Sequence, residues 1–366
     1  MTASPRALAQ RLHHAYRGSG ADLPFGDPRR AHPGVAMEGY FWRISDAERR
    51  RAFIALAGVN TGPDGPWATL GVASTAGHHT MIATPGSWAD PHRLGVRAGR
   101  AAAGTTGAPH AEAEASFEGD EHRLAVELSP ACRVDVTISD PLLWPRRRFG
   151  GSSVFGTVPH LNQYWHPWLL GGRATGTVTL DGQQWEFDDA QVYAEKNWGR
   201  EGFPESWWWG QAQGFDDRNV CAAFAGGLVH AGPLRTTVTG LVVRLPSGEM
   251  LRLGDPVVSP VRADVAHDHW RLRGRGYGWR VEVDASAPLT DAHVLPVPIP
   301  SAGANLAGAL EHLAGRLSVR VWRHGRLRYA GESELAGLEH GSLDLAAAEL
   351  LRRGARPGAT SAPPRS

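Results

Sequence analysis

The sequence predicts an all-β protein in which antiparallel strands form barrels or a sandwich, accompanied by a few short helices. Three observations support this fold class. Apolar and polar residues alternate in many short segments, turn residues separate pairs of these segments, and helical periodicity is rare. Alternation at every second residue is the period of a half-buried antiparallel strand, because successive side chains of a strand point to opposite faces.

The predicted strands follow one another in pairs joined by turns. The segments LAVEL and CRVDVTI, at 124–128 and 132–138, flank a short SPA break. TGTVTL and QQWEF flank Asp181-Gly182, a dipeptide typical of two-residue hairpin turns. Three later regions show the same alternation: TGLVVRL and EMLRL around Pro246-Ser247-Gly248, YGWRVEV at 277–283, and LSVRVW and RLRYAG around His324-Gly325.

Helical periodicity is confined to three segments. Residues 2–16 predict a short amphipathic helix, and NLAGALEHLAG at 305–315 and LDLAAAELLRR at 343–353 predict two more. Residues 97–116 have low complexity and indicate a loop or an irregular edge strand. Residues 355–366, rich in proline and glycine, indicate a disordered tail.

Composition limits the classes of function. The 366 residues suffice for two domains or one large all-β unit, and a hydrophobic fraction of 42% provides for a core. Lys+Arg 38 against Asp+Glu 37 gives a net charge of +1, without the basic character that nucleic-acid binding requires. No segment has the features of a signal peptide or a membrane-spanning helix, which predicts a cytoplasmic protein, with a peripheral position at the membrane as an option.

The metal-ligating and thiol residues indicate no metal centre. Cys132 and Cys221 stand far apart in the sequence, which favours two buried thiols over a disulfide or a metal site. His267-Asp268-His269 and the pairs His78-His79 and His13-His14 lack a third ligand at a suitable spacing. We therefore expect these histidines to lie in solvated loops.

Tryptophan is concentrated in one part of the chain. Eight of the fourteen tryptophans fall between Trp144 and Trp209, and four of them lie in YAEKNWGREGFPESWWWGQAQGF at 193–215. If 191–199 is a strand, one face carries Tyr193, Glu195 and Asn197, while Lys196 and Trp198 lie on the other. In the second run, one face carries Trp207, Trp209, Gln211 and Gln213, with Trp208 opposite. The alternation does not fix which faces point inward, because a one-residue shift exchanges them.

Two interpretations of this region are open. A single tryptophan more often fills a core than contacts a ligand, and Glu195 could form a salt bridge with a buried arginine or lysine. The constellation as a whole favours a ligand site, because burying indoles together with Glu, Asn and Gln is costly without a purpose. A mostly apolar pocket with a few converging polar groups is the usual form of a small-molecule site.

These residues resemble the signature of the tocopherol cyclase family, roughly Y-x-E-K-N-W-G followed by F-P-x-x-W-x-W-x-Q. The resemblance extends to AMEGYFWRIS at 36–45, to the segment from 156 to 199, and more weakly to HWRLRGRGYGWRVEVDA and LSVRVWRHG. It covers roughly residues 23 to 335. The early motif departs from the family pattern E-G-W-Y-F, since it is Glu38-Gly39-Tyr40-Phe41-Trp42 here.

The resemblance implies an architecture of two lipocalin-like antiparallel β-barrels. On this basis the chain divides into an N-terminal segment 1–22, a first β-domain 23–165, a second β-domain 166–340 that carries the EKNWG motif, and a C-terminal helix and tail 341–366. It also implies a chemistry, in which a prenyl double bond is protonated and a phenol closes a chromanol ring.

Such chemistry requires a carboxylic acid kept protonated in an apolar setting, aromatic faces for a tertiary carbocation, and exclusion of water. It requires neither a metal nor a redox cofactor. Glu195 is the first choice for the acid, and Glu38, in the other matching motif, is the second. The residues expected to bind the substrate are Trp198, Trp207 and Trp209 as cation-stabilising walls, and Tyr164, His166, Tyr193, Asn197 and Gln211 around its polar head.

The expected function is therefore a cofactor-free cyclase acting on a lipophilic prenylated or polyene substrate, collected with or without transient membrane contact. A related pocket could catalyse pericyclic cyclisation or alkene hydration instead. A third alternative is a carrier that binds an apolar terpenoid or quinol without chemistry. The sequence does not specify the substrate or the oligomeric state.

Overall fold

A computed structural model describes residues 5–23, 26–75, 77–83, 87–102, 115–145, 149–355 and 359–361. The predicted all-β class is confirmed, since two antiparallel sheets account for most of these residues. The strands of the first sheet are β1 Met37–Asp46, β2 Arg51–Gly62, β3 Gly65–Ser74, β4 Gly77–Ala83, β5 Ser87–Ala89, β6 Val96–Gly99, β7 Ser116–Gly119, β8 Arg123–Ser129, β9 Cys132–Ser139, β10 Tyr164–Leu169, β11 Arg173–Leu180 and β12 Gln183–Gly199.

The second sheet follows in the chain. Its strands are β13 Trp207–Ala212, β14 Cys221–Ala231, β15 Leu234–Arg244, β16 Met250–Leu253, β17 Val261–Val265, β18 His269–Gly276, β19 Trp279–Ser286, β20 His293–Ile299, β21 Ala304–Arg323, β22 Arg326–Gly341 and β23 Ala359–Ser361. Two helices, α1 Pro5–Gly18 and α2 Leu343–Arg352, confirm two of the three predicted helices. Neither of these helices is long and apolar enough to cross a lipid bilayer.

Each sheet curls around its own apolar core. The first sheet runs in the order β4-β3-β2-β1-β12-β11-β9-β8-β7-β6-β5, with β10 also paired to β12. Its core joins Phe53 of β2 with Phe117 of β7 and Val178 of β11, strands that are far apart in this order. The second sheet encloses a separate core that includes Phe224 and Trp270. The thiols of Cys132 and Cys221 are both buried and free, as expected.

The hairpin turns predicted from dipeptides are confirmed. Asp181 and Gly182 join β11 to β12 with φ angles of 51° and 79°, and His324 and Gly325 join β21 to β22 with 48° and 79°. Two consecutive positive φ values match the right-handed twist of the flanking strands. Glycine at the second position adopts this conformation without steric cost.

The helix predicted at 305–315 is wrong, because these residues belong to β21. This strand pairs with β20 on one side and β22 on the other. Residues 307–313 are all buried, so the strand is covered on both faces there and the alternation of buried and exposed residues is lost. A fully buried stretch rich in Ala and Leu cannot be distinguished from a buried helix by its periodicity.

Two other expectations concern irregular segments. Ala359–Ser361 pairs with β21, although residues 355–366 were expected to be disordered. The remaining tail residues 356–358 and 362–366 lie outside the described residues, as do 103–114 of the low-complexity segment.

The chain passes from the first sheet to the second between Gly199 and Trp207. This position does not coincide with the expected division at residue 165. The strand that carries the EKNWG motif belongs to the first sheet, because β12 pairs with β1 from Met37↔Gly199 to Ser45↔Gln191. The tryptophan run at 207–209 begins the second sheet. The two halves of the signature therefore lie in different sheets.

Candidate active site

A large cavity lies where the two sheets meet. It contains about 1360 Å³ of space unoccupied by atoms, counted out to its opening. The first sheet contributes side chains from β1, β2, β10 and β12, and the second contributes side chains from β13, β14, β15, β20, β21 and β22. The lining of the cavity is mostly apolar, with a few polar side chains, which is the usual form of a small-molecule site.

Aromatic side chains from both sheets form much of the wall. Phe41 of β1 packs edge to face on Trp209 of β13, with ring centres 5.2 Å apart. Phe203 packs on Trp207 at 4.7 Å. The other aromatic residues that line the cavity are Tyr40, Phe155, Tyr164, Trp165 and Trp208. The wall is therefore assembled by the contact between the sheets and belongs to neither sheet alone.

Glu195 lies in this wall, and its hydrogen-bond donors in the described part of the chain are all neutral groups. Tyr193 Oη donates to its Oε2 at 2.6 Å, Trp209 Nε1 at 2.7 Å and Trp165 Nε1 at 2.8 Å. The residue is 5% exposed. Within the described ranges, no Lys, Arg or His nitrogen forms an ion pair with Glu195, so the salt bridge considered as an alternative is absent there.

Burial raises the pKa of Glu195 above its usual range, although the three hydrogen bonds act in the opposite direction. Burial and the adjacent carboxyl also raise the pKa of Tyr193 well above its usual range, so the phenol remains a neutral donor. All three donors point at Oε2. Within the described structure, Oε1 has no hydrogen-bond donor, which leaves it as the oxygen able to carry a proton.

Lys196 is adjacent in sequence but lies on the other face of β12. Its Nζ forms an ion pair with Glu38 Oε2 at 3.0 Å and donates to the Arg30 carbonyl at 2.7 Å. Glu38 also accepts hydrogen bonds from the Tyr40 hydroxyl, at 2.9 Å, and from the His32 backbone N–H. Burial lowers the pKa of Lys196 to about 8. Glu38 thus forms a buried ion pair with Lys196, and it does not line the cavity.

Trp198 belongs to this second face as well. Its ring stacks between His32, at 4.4 Å, and Tyr164, at 5.4 Å, and its Nε1 donates to the Gly20 carbonyl at 2.7 Å. The side chain holds the segment that follows α1 against the first sheet. It does not contribute to the cavity wall.

Two other residues expected at the site also lie behind the wall. His166 accepts a hydrogen bond from the Gly151 backbone N–H at 3.3 Å, and burial lowers its pKa to about 3, so the ring is neutral. Gln211 accepts a hydrogen bond from the guanidinium of Arg43 at 3.0 Å. Neither lines the cavity, whereas Tyr164, Glu195, Asn197, Trp207 and Trp209 do.

Asn197 has an unsatisfied acceptor. Its Oδ1 is buried and has no hydrogen-bond partner, as is also true of Gln163 Oε1, and both residues line the cavity. Asn197 stands opposite Gly39 of β1, where a Cβ atom would lie 2.1 Å from Oδ1. Glycine at position 39 therefore makes room for the amide.

The sequence analysis missed several residues of the site. Trp165 donates to Glu195, and Glu339 of β22 lines the cavity and accepts a hydrogen bond from Trp207 Nε1. Glu339 pairs across the sheet with Glu311 of β21. A signal was present, because the tripeptide Leu-Glu-His occurs at both 310–312 and 338–340. The assignment of a helix to 305–315 concealed it.

The model of a family described as tocopherol cyclase-like matches residues 34–342. The chain belongs to this family.

Two curated relatives are plant proteins of the same kind. The chain is 29% identical over 193 residues to a probable chloroplastic tocopherol cyclase of Oryza sativa subsp. japonica, a match covering 50% of this chain and 40% of the relative. It is 28% identical over 192 residues to the chloroplastic tocopherol cyclase of Zea mays, with the same coverage. The chain thus spans less than half the length of the curated relatives it matches.

A solved structure has a similar fold. The crystal structure of CghA with Sch210972 superposes with a TM-score of 0.55 and 13% sequence identity, covering 85% of this chain and 89% of that one. At this identity the likeness concerns the fold alone.

Replacing Lys196 tests the structural role of the buried ion pair. We expect Lys196→Met to reduce the free energy of unfolding by about 3–5 kcal/mol, because the Glu38 carboxylate is left buried and unpaired. The double variant Lys196→Met/Glu38→Gln should recover much of this loss. Urea denaturation measures both. The exposed pair Arg123–Asp135 provides the control, since Arg123→Met should cost at most about 1 kcal/mol. A loss for Lys196→Met no larger than that of the control would contradict this role.

Proposed function

We propose that the protein is a cyclase that protonates a carbon–carbon double bond of a lipophilic prenylated phenol and closes a ring through the phenol oxygen. The observation that carries this proposal is Glu195, a buried carboxyl in an aromatic cavity whose hydrogen-bond donors are all neutral. A carboxyl in such a setting stays protonated at a pH where an ordinary glutamate is ionised. It is then available as a general acid.

The first step uses the proton on Glu195. Transfer from Oε1 to the less substituted alkene carbon forms a C–H bond, breaks the π bond and leaves a tertiary carbocation. Oε2 then holds the developing negative charge, and the donors from Tyr193, Trp165 and Trp209 are already aimed at it. Preorganised donors of this kind stabilise charge that appears only during the reaction.

The aromatic wall meets the second requirement of this chemistry, which is stabilisation of the carbocation. A desolvated aromatic face attracts a cation by about 1–2 kcal/mol, and Phe41, Trp207 and Trp209 are rings of both sheets that border the cavity. Apolar walls also keep water away from the cation, which would otherwise be hydrated instead of cyclised. Both steps are proton transfer and bond closure, so the chemistry itself requires no redox cofactor or metal.

The unsatisfied amides favour a substrate with a hydroxyl group. A buried acceptor without a donor costs about 1–3 kcal/mol. Asn197 Oδ1 and Gln163 Oε1 both lack a donor and belong to residues of the cavity wall. A phenolic O–H would supply one, and would thereby place the ring at a fixed end of the cavity. The membership of the tocopherol cyclase-like family supports the same substrate class.

The variant Glu195→Gln tests the acid. Glutamine keeps an acceptor oxygen for the three donors but cannot release a proton to an alkene. We expect kcat to fall about 10²- to 10⁴-fold on a prenylated hydroquinone, with a small change in KM. Glu127→Gln on the exposed face of β8 is the matched control and should retain full turnover. Full turnover by Glu195→Gln would exclude Glu195 as the acid, and binding without turnover by the unaltered protein would indicate a carrier.

Incubation in deuterated water distinguishes proton-initiated closure from a pericyclic reaction. Proton transfer from Glu195 must place one deuterium on the former alkene carbon, because the carboxyl proton exchanges with solvent between turnovers. Mass spectrometry and NMR of the product locate it. A cyclised product without deuterium would contradict the acid step, and a tertiary alcohol would identify a hydratase.

The pH dependence of kcat gives a further test. Since the acid must be protonated, activity should be lost as the pH rises through the raised pKa of Glu195. The alkaline limb should therefore lie above the pH at which an ordinary glutamate ionises, and the residual activity of Glu195→Gln should lack it. A limb at the usual glutamate pKa would show that burial does not govern this group.

A further inference from the structure

We infer that one end of the cavity, between β2 and β20, holds the apolar prenyl tail of the substrate and limits the length of that tail. This inference rests on the proposed function, because it concerns a prenylated phenol in the same cavity. The tail enters first, and residues of β20 and β21 determine the accepted chain length.

The two ends of the cavity are built from different apolar clusters. Trp165 of β10 belongs to the cluster around Glu195, whereas Ile54 of β2, Leu295 of β20 and Ala309 of β21 belong to another. Phe41 packs against both clusters, so the two ends adjoin there. In the first sheet β1 separates β2 from β12, which places the two ends about 10 Å apart.

The two ends differ in polarity. The unpaired amide oxygens of Gln163 and Asn197 lie at the end formed by β10 and β12. The residues of β20 and β21 that line the other end have no polar side-chain atom; they are Leu295, Pro296, Val297, Pro298 and Ala309. An apolar tail therefore fits the end at β20, and a hydroxyl group fits the end at β12.

Thr69 of β3 is a polar residue that lines the cavity next to β2. Its hydroxyl donates to Asn305 Oδ1 at 2.7 Å and accepts from Asn60 Nδ2 at 3.1 Å. Both the donor and an acceptor site of this hydroxyl are thus already used within the protein. Thr69 does not offer a free donor to a polar ligand group at this end.

The end at β20 is covered by the rest of the protein. Residues 295–298 are four consecutive buried residues, so β20 is covered on the face away from the cavity as well, where α2 packs against it. Ile54 and Ala309 are each only 1% exposed. We refer to this part of the cavity, lined by Ile54, Leu295, Val297 and Ala309, as the closed end.

The opposite side of the cavity reaches the protein surface. Phe155 and Val238 line the cavity there and are partly exposed. Their neighbours in the chain, Val154 and Thr237, are exposed. A molecule that enters from outside therefore passes Phe155 and Val238 first, and its leading part reaches the closed end.

Entry with the tail first matches both ends of the substrate to their surroundings. The prenyl chain leaves water for the closed end, and the phenol hydroxyl stays beside Asn197 and Gln163. Glu195 lies two residues from Asn197 on the same face of β12, a distance of about 7 Å. The acid is thus beside the part of the chain that is attached to the ring. The reverse orientation would bury the hydroxyl among apolar side chains and leave the amide oxygens unpaired.

Leu295 and Ala309 are placed to set the accepted length. They are cross-strand partners on β20 and β21, and both line the closed end. One side chain is large and the other is small, so the space can be altered in both directions. A larger residue at 309 shortens the closed end, and a smaller residue at 295 extends it.

The test is the Kd of a series of hydroquinones with prenyl chains of increasing length, measured by quenching of tryptophan fluorescence. Burial of one methylene group increases affinity about fourfold, so Kd should fall with chain length until the closed end is full and then level off. In Ala309→Leu we expect this limit at a shorter chain, with binding of longer chains weakened about tenfold and binding of the shortest chain unchanged. Leu295→Ala should move the limit to a longer chain.

Val238→Leu adds similar bulk at the opposite side of the cavity and is the matched control. It should change the Kd of all chain lengths by the same factor. A uniform change in Ala309→Leu and Leu295→Ala, or a shifted limit in Val238→Leu, would overturn the placement of the tail.

Turnover of the same series separates this inference from the proposed function. If the chains bind with the expected limit but the unaltered protein does not cyclise them, the tail site is supported and the proposed function fails. If the protein cyclises them and neither variant moves the limit, only the placement of the tail fails. Failure of all members of the series to bind would overturn both.

Discussion

The rest of the site depends on how β12 separates two consecutive charged residues. Strand alternation places Glu195 toward the cavity and Lys196 toward the segment after α1, where Glu38 neutralises it. Had the cation shared the face of Glu195, a salt bridge would have formed and stabilised the carboxylate. Instead the carboxyl is surrounded by two indoles and a phenol. These groups donate hydrogen bonds to Oε2 without providing the positive charge that would favour ionisation.

A consequence is that the site exists only where the sheets meet. Tyr193 and Trp165 reach Glu195 from the first sheet, and Trp209 reaches it from the second. Arg43 makes a similar connection, because this buried residue of β1 donates to carbonyls of β21 and β22. The carboxyl at the interface and the arginine behind it both require the two sheets to be docked. A change that loosens the docking of the two sheets is therefore expected to disrupt the hydrogen bonds around Glu195 as well.

The sequence was informative where a local rule operates. Alternation identified most strands, Asp181-Gly182 identified a hairpin, and the indole-rich stretch identified the wall. Prediction from the sequence failed where contacts between residues distant in the chain determine the structure. Residues 307–313 of β21 are buried on both faces and lack a period of two, so this part of the strand resembles a helix in sequence, which hid Glu311. Trp198 and Gln211 belong to the same motif as Glu195 but point to other neighbours, and strand register could not be derived from the motif. Glu339 is far from the motif in sequence and reaches the cavity only through the pairing of β13 with β22.

The pH at which Glu195 loses its proton is the most direct test of this account. Infrared difference spectroscopy between the unaltered protein and Glu195→Gln isolates the carboxyl band of this one residue. We expect the C=O stretch of a protonated carboxylic acid to persist at a pH where an ordinary glutamate is ionised, and carboxylate bands to replace it as the pH rises through the raised pKa of Glu195. Carboxylate bands that appear at the same pH as those of an exposed glutamate would mean that burial does not raise the pKa of this residue, and the proposed acid would be contradicted.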